Sequence, residues 1–518
     1  MNKTLILILL ILYLLSLPWV SLAQEPSQSS IEWDKAAQIS SPPEGNSWFP
    51  DLAVDNNGKL YVVWCNTAAV PGLGEVERIF FNQWNGQEWL GFNDILPPQP
   101  DINRNAIAVD NYNTLHLTYG WFQLRYQQAQ PDTATSATGW SDSRLLNRQD
   151  GAYLKDISAY QNVIQVVYDD NGKEGKELEC SGCADIYYVY SPDRGVTWSR
   201  PLNLYPTNTG SARVHLYTDK KGRLYVVWDE GWDRIKEIFS EKYYNVFIHS
   251  PDGGKTWLAP TLVTYPNWTN THITVGADGE GGVMLAWRTA DTSSPFFYMW
   301  SADYGNSWNP PSTIPNLIAR PVATGKFDMY DMATDSLGHI HYITVGYLEK
   351  DKGVQKPPAL YHVEWDGKQW SMPTAIYESD WYPEYPHVVI VRGNQLYTTW
   401  FIRKDPFNVI KPHQIWFTHA VLPAPAETPV SFPTLTPTPT RVTPTATATH
   451  TPIPTLTPTP TLSPELLKVD NVEAIQNVYT DYDELTLLII SLTPAFLIVF
   501  SLVTGIRIWK HRRFRANE

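Results

Sequence analysis

An all-β fold built from repeated four-stranded units is predicted by three observations. A tryptophan-led stretch recurs seven times, as "EWDKAAQI" (Trp33), "EWLGFNDI" (Trp89), "GWSDSRLL" (Trp140), "TWSRPLNL" (Trp198), "TWLAPTLV" (Trp257), "SWNPPSTI" (Trp308) and "QWSMPTAI" (Trp370), at gaps of 51 to 62 residues. Between these stretches lie paired apolar runs split by a turn, such as "LAVDNNGKLYVVW". The chain is 13% aromatic, with 22 Trp and 29 Tyr, which suits many short strands and a large core. Self-similarity at this period points to a propeller or an array.

Each unit can be justified strand by strand. The first two strands are clearest in "LAVDNNGKLYVVW", "HLYTDKKGRLYVVW" and "ITVGADGEGGVMLAW", where the turn Asp and the strand-ending Trp stand nine apart. A third strand follows each time ("IFFNQW", "LRYQQA", "IYYVYS", "VFIHSP", "FYMWSA", "LYHVEW", "IWFTHA"), and the motif Trp opens the fourth. That is the β-meander of a propeller blade, and seven of them occupy residues 30 to 422. The last unit has three strands and the first fourth-type strand, "IEWDKAAQI", has no unit of its own. The N-terminal strand is therefore expected to complete the last blade and close the ring, which removes the free edges.

Three units share Ser-x-Asp-x-Gly-x-Thr/Ser-Trp: Asp193, Gly195 and Trp198; Asp252, Gly254 and Trp257; Asp303, Gly305 and Trp308. In a third-to-fourth-strand turn the Asp accepts backbone N–H groups, the Gly permits the backbone angle, and the Trp packs between blades. These residues are read as structural. Asp55, Asp219 and Asp335 are likewise read as hairpin caps rather than calcium ligands.

The motif resembles the Asp box, or BNR repeat, of the sialidase-like superfamily of propellers. The resemblance implies a propeller fold, with six blades as the alternative to seven, and a site for a glycan. Sialidases of this type would bring three arginines for the sugar carboxylate, a Tyr–Glu nucleophile pair and an Asp acid. Their first arginine lies in an Arg-x-Pro motif; the matching stretch here is "SWFPDLAVD", where Pro50 fits but Trp48 stands in the arginine's place. An indole cannot clamp a carboxylate.

Aligned starts of the innermost strands give two rings on the binding face. The outer reads Phe49, Arg104, Tyr153, Arg213, His272, Met329 and Tyr385; the ring two residues deeper reads Asp51, Ala106, Lys155, His215, Thr274, Asp331 and His387. Such charge on buried strands implies either inter-blade pairing or a polar central pocket. Second-to-third-strand loops add Asp229, Glu230, Trp232, Arg288 and Arg403, and interblade loops add Trp268, Trp381 and Tyr382. Aromatics beside carboxylates and arginines suit sugar rings. The ligand-binding candidates are Arg104, Arg213, His215, His272, Arg288, Asp331, Trp232 and Trp381. Catalytic candidates are Asp51, Glu230 and Asp229, although adjacent residues on a strand point oppositely, which argues against Asp229 and Glu230 sharing a substrate.

The ends address a membrane. Residues 1–23 read as a secretory signal and 24–422 as the propeller ectodomain. Residues 423–464, rich in Pro and Thr, read as an extended stalk, and 465–484 as a connector. Residues 485–506 are long and apolar enough for a transmembrane helix, and the basic tail 507–518 follows, so the C-terminus is expected in the cytoplasm and the propeller outside. This predicts a single-pass type I protein of the cell membrane. The net charge of −14 argues against nucleic acid. Three cysteines are too few for a disulfide scaffold; Cys180 and Cys183 form one C-x-x-C, read as a local disulfide or two idle thiols. No metal and no cofactor are expected. Three functions remain: binding of an extracellular glycan or glycoconjugate, exo-glycoside hydrolysis with an altered acid/base set, or adhesion to a protein partner through the propeller rim.

Overall fold

The computed structural model describes residues 31–40, 46–72, 74–147, 151–171, 183–233, 238–291, 294–322, 327–354, 356–407 and 412–428. The expected signal, transmembrane helix and tail lie outside these residues, as do nearly all of the stalk and Cys180. The chain divides into two units, Met1–Thr436 and Pro437–Glu518, and every described residue belongs to the first.

The described residues form twenty-eight strands. β1 (Ala37–Gln38) stands apart from the sheet that follows it: β2 (Asn46–Val54), β3 (Leu60–Val70), β4 (Gly74–Trp84) and β5 (Asn93–Asp94). The next is β6 (Ala106–Val109), β7 (Leu115–Tyr119), β8 (Arg125–Ala129) and β9 (Arg144–Leu145). Then come β10 (Lys155–Tyr160), β11 (Val163–Asp170), β12 (Asp185–Ser191) and β13 (Leu202–Asn203), and after them β14 (Ser211–Thr218), β15 (Leu224–Asp233), β16 (Ile238–Ser250) and β17 (Thr261–Val263). An eight-stranded sheet follows, made of β18 (Asn270–Ala277), β19 (Val283–Thr289), β20 (Pro295–Ser301), β21 (Ser312–Ala319), β22 (Asp331–Thr334), β23 (Ile340–Leu348), β24 (Ala359–Trp365) and β25 (Thr374–Tyr377). The last sheet joins β26 (Tyr382–Val391), β27 (Gln395–Arg403), β28 (His413–Val421) and β1.

This is an all-β, propeller-like arrangement of antiparallel four-stranded sheets. The expected separation fails in one place: β21 pairs with β23, fusing two four-strand sets. Asn316, at φ 60°, lies where the pairing of β21 to β20 shifts register, and Leu317 to Ala319 beyond it pair with β23. Gly346 makes the approach feasible, since a Cβ there would lie 2.3 Å from the Ile318 carbonyl oxygen. The first strands of successive sets, β2, β6, β10, β14, β18, β22 and β26, lie each against the next, and β26 returns to β2.

Ring closure by the N-terminal strand holds. Ala37 and Gln38 pair with Phe417 and Trp416, and Trp33 bridges Ala420. Asp34 N–H donates to His419 O and Ile39 N–H to Ile415 O, both at 2.9 Å. Trp64, Trp228, Trp287 and Trp400, which the sequence places near or at the ends of second strands, are among the largest fully buried side chains.

The three boxes do the same job in successive sheets. In each, the Ser hydroxyl accepts the box Gly N–H (2.7–2.8 Å) and the Asp accepts both the backbone N–H and the hydroxyl of the Thr or Ser four residues on. Each box Trp meets an aromatic ring of the preceding sheet edge-on: Trp198 with Tyr126 at 4.8 Å, Trp257 with Tyr188 and Trp308 with Phe247 at 5.1 Å. The glycine lies under that same ring; a Cβ on Gly254 would sit 2.0 Å from the Tyr188 hydroxyl. Asp55, Asp219 and Asp335 each bond two backbone N–H groups of their own hairpin, as caps. Among the described residues no group of three or more His, Cys, Asp or Glu is arranged to hold a metal ion. Cys183 is disulfide-bonded, and Cys65 is free and buried. No described helix is long and apolar enough to cross a membrane.

Candidate functional site

Five members of the outer ring share an uncommon backbone. Phe49, Arg104, Arg213, His272 and Tyr385 all have left-handed φ between 54° and 64°. At four of them the ladder slips by a bulge, between Trp48 and Asp51, Ala212 and His215, Thr271 and Thr274, and Glu384 and His387. A non-glycine residue in this region costs roughly 1–2 kcal/mol, and a bulge re-aims its side chain. Repetition of the same strain at one level of the axis marks that level as a candidate site.

The re-aimed side chains meet one another. The Arg104 guanidinium lies 3.4 Å from the centre of the Phe49 ring and 4.4 Å from that of Tyr153, and it also bonds the Tyr153 hydroxyl. Phe49 packs edge-on against Tyr385 at 5.4 Å and stacks with Trp48 at 4.9 Å. Trp48, where the resemblance to sialidases led to an arginine being looked for, thus joins an aromatic wall that includes Phe327 and His413. Arg213 caps the Trp232 ring at 4.0 Å and pairs with Asp229 at 3.0 Å.

The deeper ring converges as a buried chain of acids and imidazoles. His215 lies 3.1 Å from Asp331 and 3.4 Å from Asp156; His387 lies 3.6 Å from Asp331 and 3.4 Å from Asp51. Asp156 takes the place expected for Lys155. The β10–β11 hairpin has a two-residue turn and no bulge, so counting from the longer Asp-x-x-Gly turns slips by one residue there. Lys155 is instead buried, donating to the Gly120 carbonyl. Each acid staples two blades: Asp51 bonds Leu52 and Ile107 N–H, Asp156 bonds Ile157 and Leu216, and Asp331 bonds Met332 and Val388, at 2.7–2.9 Å. Burial pushes Asp51 up to about 7 and Asp156 up to about 6. Burial opposes charge on His215 too, but the bond to Asp331 and the surrounding carboxylates win and raise it to about 9. Burial lowers His387.

Asp229 and Glu230 diverge as strand geometry requires. Asp229 accepts from Asn245, Arg213, Thr271 Oγ1 and His272 N–H, at 2.6–3.0 Å. Glu230 turns the other way, where Thr207, Thr209, Ser211 and Trp228 donate to it at 2.5–3.1 Å. Burial raises Glu230 despite those bonds. Arg288 is fully buried and donates to the carbonyls of Thr289, Arg320 and Asp291. Trp381 is half-buried against the core of the last sheets, and Trp268 is exposed beside Tyr244.

Sequence reasoning named Arg403 but missed the fully buried ionic group it belongs to. Arg320 binds Asp328 through two nitrogens at 2.6 and 2.8 Å and Glu384 at 2.7 Å, and Arg403 binds the same Glu384 oxygen at 2.7 Å. The Asp328 and Glu384 charges raise Arg320 further against burial, which on its own would lower it; burial lifts Glu384 to about 6. The available signal was charge near strand ends, with Arg320 just after β21, Asp328 three residues before β22, and Glu384 at the start of β26.

Residues 161–398 match the BNR repeat-like domain family. A sialidase of Clostridium perfringens is 25% identical over 193 residues, 35% of this chain and 49% of that protein, so the match spans about half the length of the curated relative. Among solved structures, a protein of unknown function from Dyadobacter fermentans aligns over 76% of this chain and 99% of its own at 13% identity and TM-score 0.43. The NanB sialidase of Streptococcus pneumoniae aligns over 75% and 71% at 12% identity and TM-score 0.42. The sialidase of Trypanosoma rangeli aligns over 76% and 59% at 10% identity and TM-score 0.41. With three Asp boxes in equivalent turns of four-stranded sheets, the chain carries a BNR repeat-like domain over residues 161–398 and is similar over part of its length to a sialidase.

Proposed function

We propose that the chain is a single-pass type I cell-surface protein whose seven-bladed propeller binds an extracellular glycan or glycoconjugate without cleaving it. The circuit of innermost strands from β2 to β26 and back supports the count of seven, with the eight-stranded sheet as two blades. The apolar run 485–506 followed by a basic tail supports the anchor. One observation carries binding over hydrolysis: both oxygens of each of Asp51, Asp229 and Glu230 already accept structural hydrogen bonds. A glycosidase needs two carboxyl groups free to face one glycosidic bond. The half-buried Trp48 and Tyr153, backed by the buried Phe49 and Arg104, are instead the aromatic surface that would meet the apolar face of a sugar.

One feature favours hydrolysis as a second reading, namely Asp51 at about 7, the range of a general acid. The test is to incubate the full chain with sialylated and neutral glycans, scoring retention on the protein and release by mass spectrometry. Retention without release is expected. Release of a terminal sugar that Asp51→Asn abolishes makes the protein a glycosidase. Neither retention nor release removes the glycan reading and leaves protein adhesion.

A further inference from the structure

A second feature of the loop face lies off the axis, in the sheet of β6 to β9. Two loops form a cleft there: Gln99, Asp101 and Ile102 on one wall, Phe122, Gln123 and Arg125 on the other. Its base is stitched shut. Trp121 N–H donates to Asp101 O at 2.9 Å and Gly120 N–H to Asn103 O at 3.2 Å. The Glu77 carboxylate receives Ile102 and Asn103 N–H at 2.7 and 2.9 Å. On the other wall, the Phe122 carbonyl accepts Ala152 N–H and the Asn147 amide, at 3.2 and 3.0 Å. The Phe122 ring is nevertheless 44% exposed. An apolar ring held at the rim of a rigid polar cleft is a preorganised contact surface.

The ring also begins a path. Phe122 stacks on Trp121 at 5.7 Å and 15°, Trp121 meets Tyr153 at 5.2 Å, and Tyr153 carries the Arg104 guanidinium that covers Phe49 at the axis. Packed rings therefore link the rim of one blade to the central ring, with Phe122 exposed, Trp121 and Tyr153 half-buried, and Arg104 and Phe49 buried at the inner end. Beside the outer end stand an amide (Gln99), a carboxylate (Asp101) and a guanidinium steadied by Gln123 at 2.5 Å (Arg125). These are hydroxyl-binding groups, and the two charges oppose each other.

We infer that the cleft and the half-buried rings behind it take a neutral, extended oligosaccharide, with internal hexoses at Phe122 and Trp121 and the chain end directed to Tyr153. This deepens, and rests on, the glycan-binding reading above. A single terminal sugar would occupy only the axis, whereas the path offers successive rings to successive sugar units. Opposed charges in the cleft disfavour a polyanionic chain, which would meet Asp101.

The test titrates the full chain with oligosaccharides of one to six units from three series, β-1,4-glucose, α-1,4-glucose and β-1,4-mannose, read by calorimetry and tryptophan fluorescence. Affinity should rise at least 10-fold from dimer to tetramer in one series. Phe122→Ala should weaken the tetramer at least 10-fold and the dimer much less, and Asp101→Asn should weaken the tetramer by a few-fold. Both positions are exposed, so an unchanged melting curve checks folding. Affinity independent of length, or a tetramer Kd that both variants leave unchanged, overturns the inference. So does a sialylated oligosaccharide that binds through Phe122 more tightly than its neutral counterpart. If glycans are retained in the panel assay above yet Phe122→Ala changes nothing, the cleft falls and the axial reading stands. If no glycan is retained in either assay, both fall.

Discussion

Asp303 and Asp51 are the same residue type in one propeller, and their surroundings drive them in opposite directions. Asp303, half-buried in a box turn, is drawn down to about 2 by the Ser307 hydroxyl, the Ser307 N–H and Ser301. Asp51, on the axis, is pushed up to about 7 by burial, against its bonds from Ile107 and Leu52. The box turns lie beside the first hairpins of the preceding sheet, where Arg194 reaches Asp110 at 2.6 Å. They repeat because every blade meets its neighbour there in the same way. The axial positions are equivalent in geometry but not in residue type: the same level carries Asp51, Ala106, Asp156, His215, Thr274, Asp331 and His387. Repetition marks the frame, and variation at equivalent positions marks where the molecule differs from a bare frame.

The comparison is broken most severely at the buried ion pairs. Arg320→Met leaves Asp328 and Glu384 short of their main counter-charge, and a loss of about 3–5 kcal/mol is expected in denaturant unfolding. On the box side, Gly254→Ala should cost about 3 kcal/mol by the same measurement, because φ is 89° and the new Cβ would strike the Tyr188 ring. An unchanged midpoint would mean that blade packing there is looser than the ring contact requires.

A pH titration separates the two regions. His215 has a folded value of about 9 against an ordinary 6.5, so its contribution is fully present below pH 6.5 and lost as pH rises through 9. Unfolding free energy should fall by on the order of 3 kcal/mol from pH 6.5 to 9.5, and His215→Asn should flatten that slope. A slope that survives the substitution would assign it to other groups. The smallest effect belongs to the exposed frame. Asp252→Ala removes bonds to Thr256, Lys255 and Ser250 at the surface and should cost about 1 kcal/mol.

The frame was legible because its signals are local. The Asp box closes its own turn within seven residues, the strand-ending Trp is buried in its own sheet, and closure by the N-terminal strand follows from a unit short of one strand. The fusion of β21 with β23 was not legible, since it depends on the register shift at Asn316 and on the bare face of Gly346, residues far apart in sequence. The site was half legible. Counting from the turns found Phe49, Arg104, Arg213, His272 and Tyr385, the strained positions themselves. The same count chose Lys155 over Asp156 because one hairpin is shorter than the others. Partner choice was beyond it: that Asp229 faces Arg213 while Glu230 faces Thr207 follows from strand direction, but that both oxygens of each already accept hydrogen bonds depends on residues outside their own strand.

The closing strand has a mechanical consequence. β28 is zipped along one side to nine residues of β27 and stitched along the other by residues 33–40. Tension arriving from the chain beyond Val421 enters the ring through this strand, flanked on both edges. To detach it, a pull must break two ladders at once, one of them made by the opposite terminus. The two ends of the domain are thereby fastened to each other, and a tug at one is resisted by the anchorage of both.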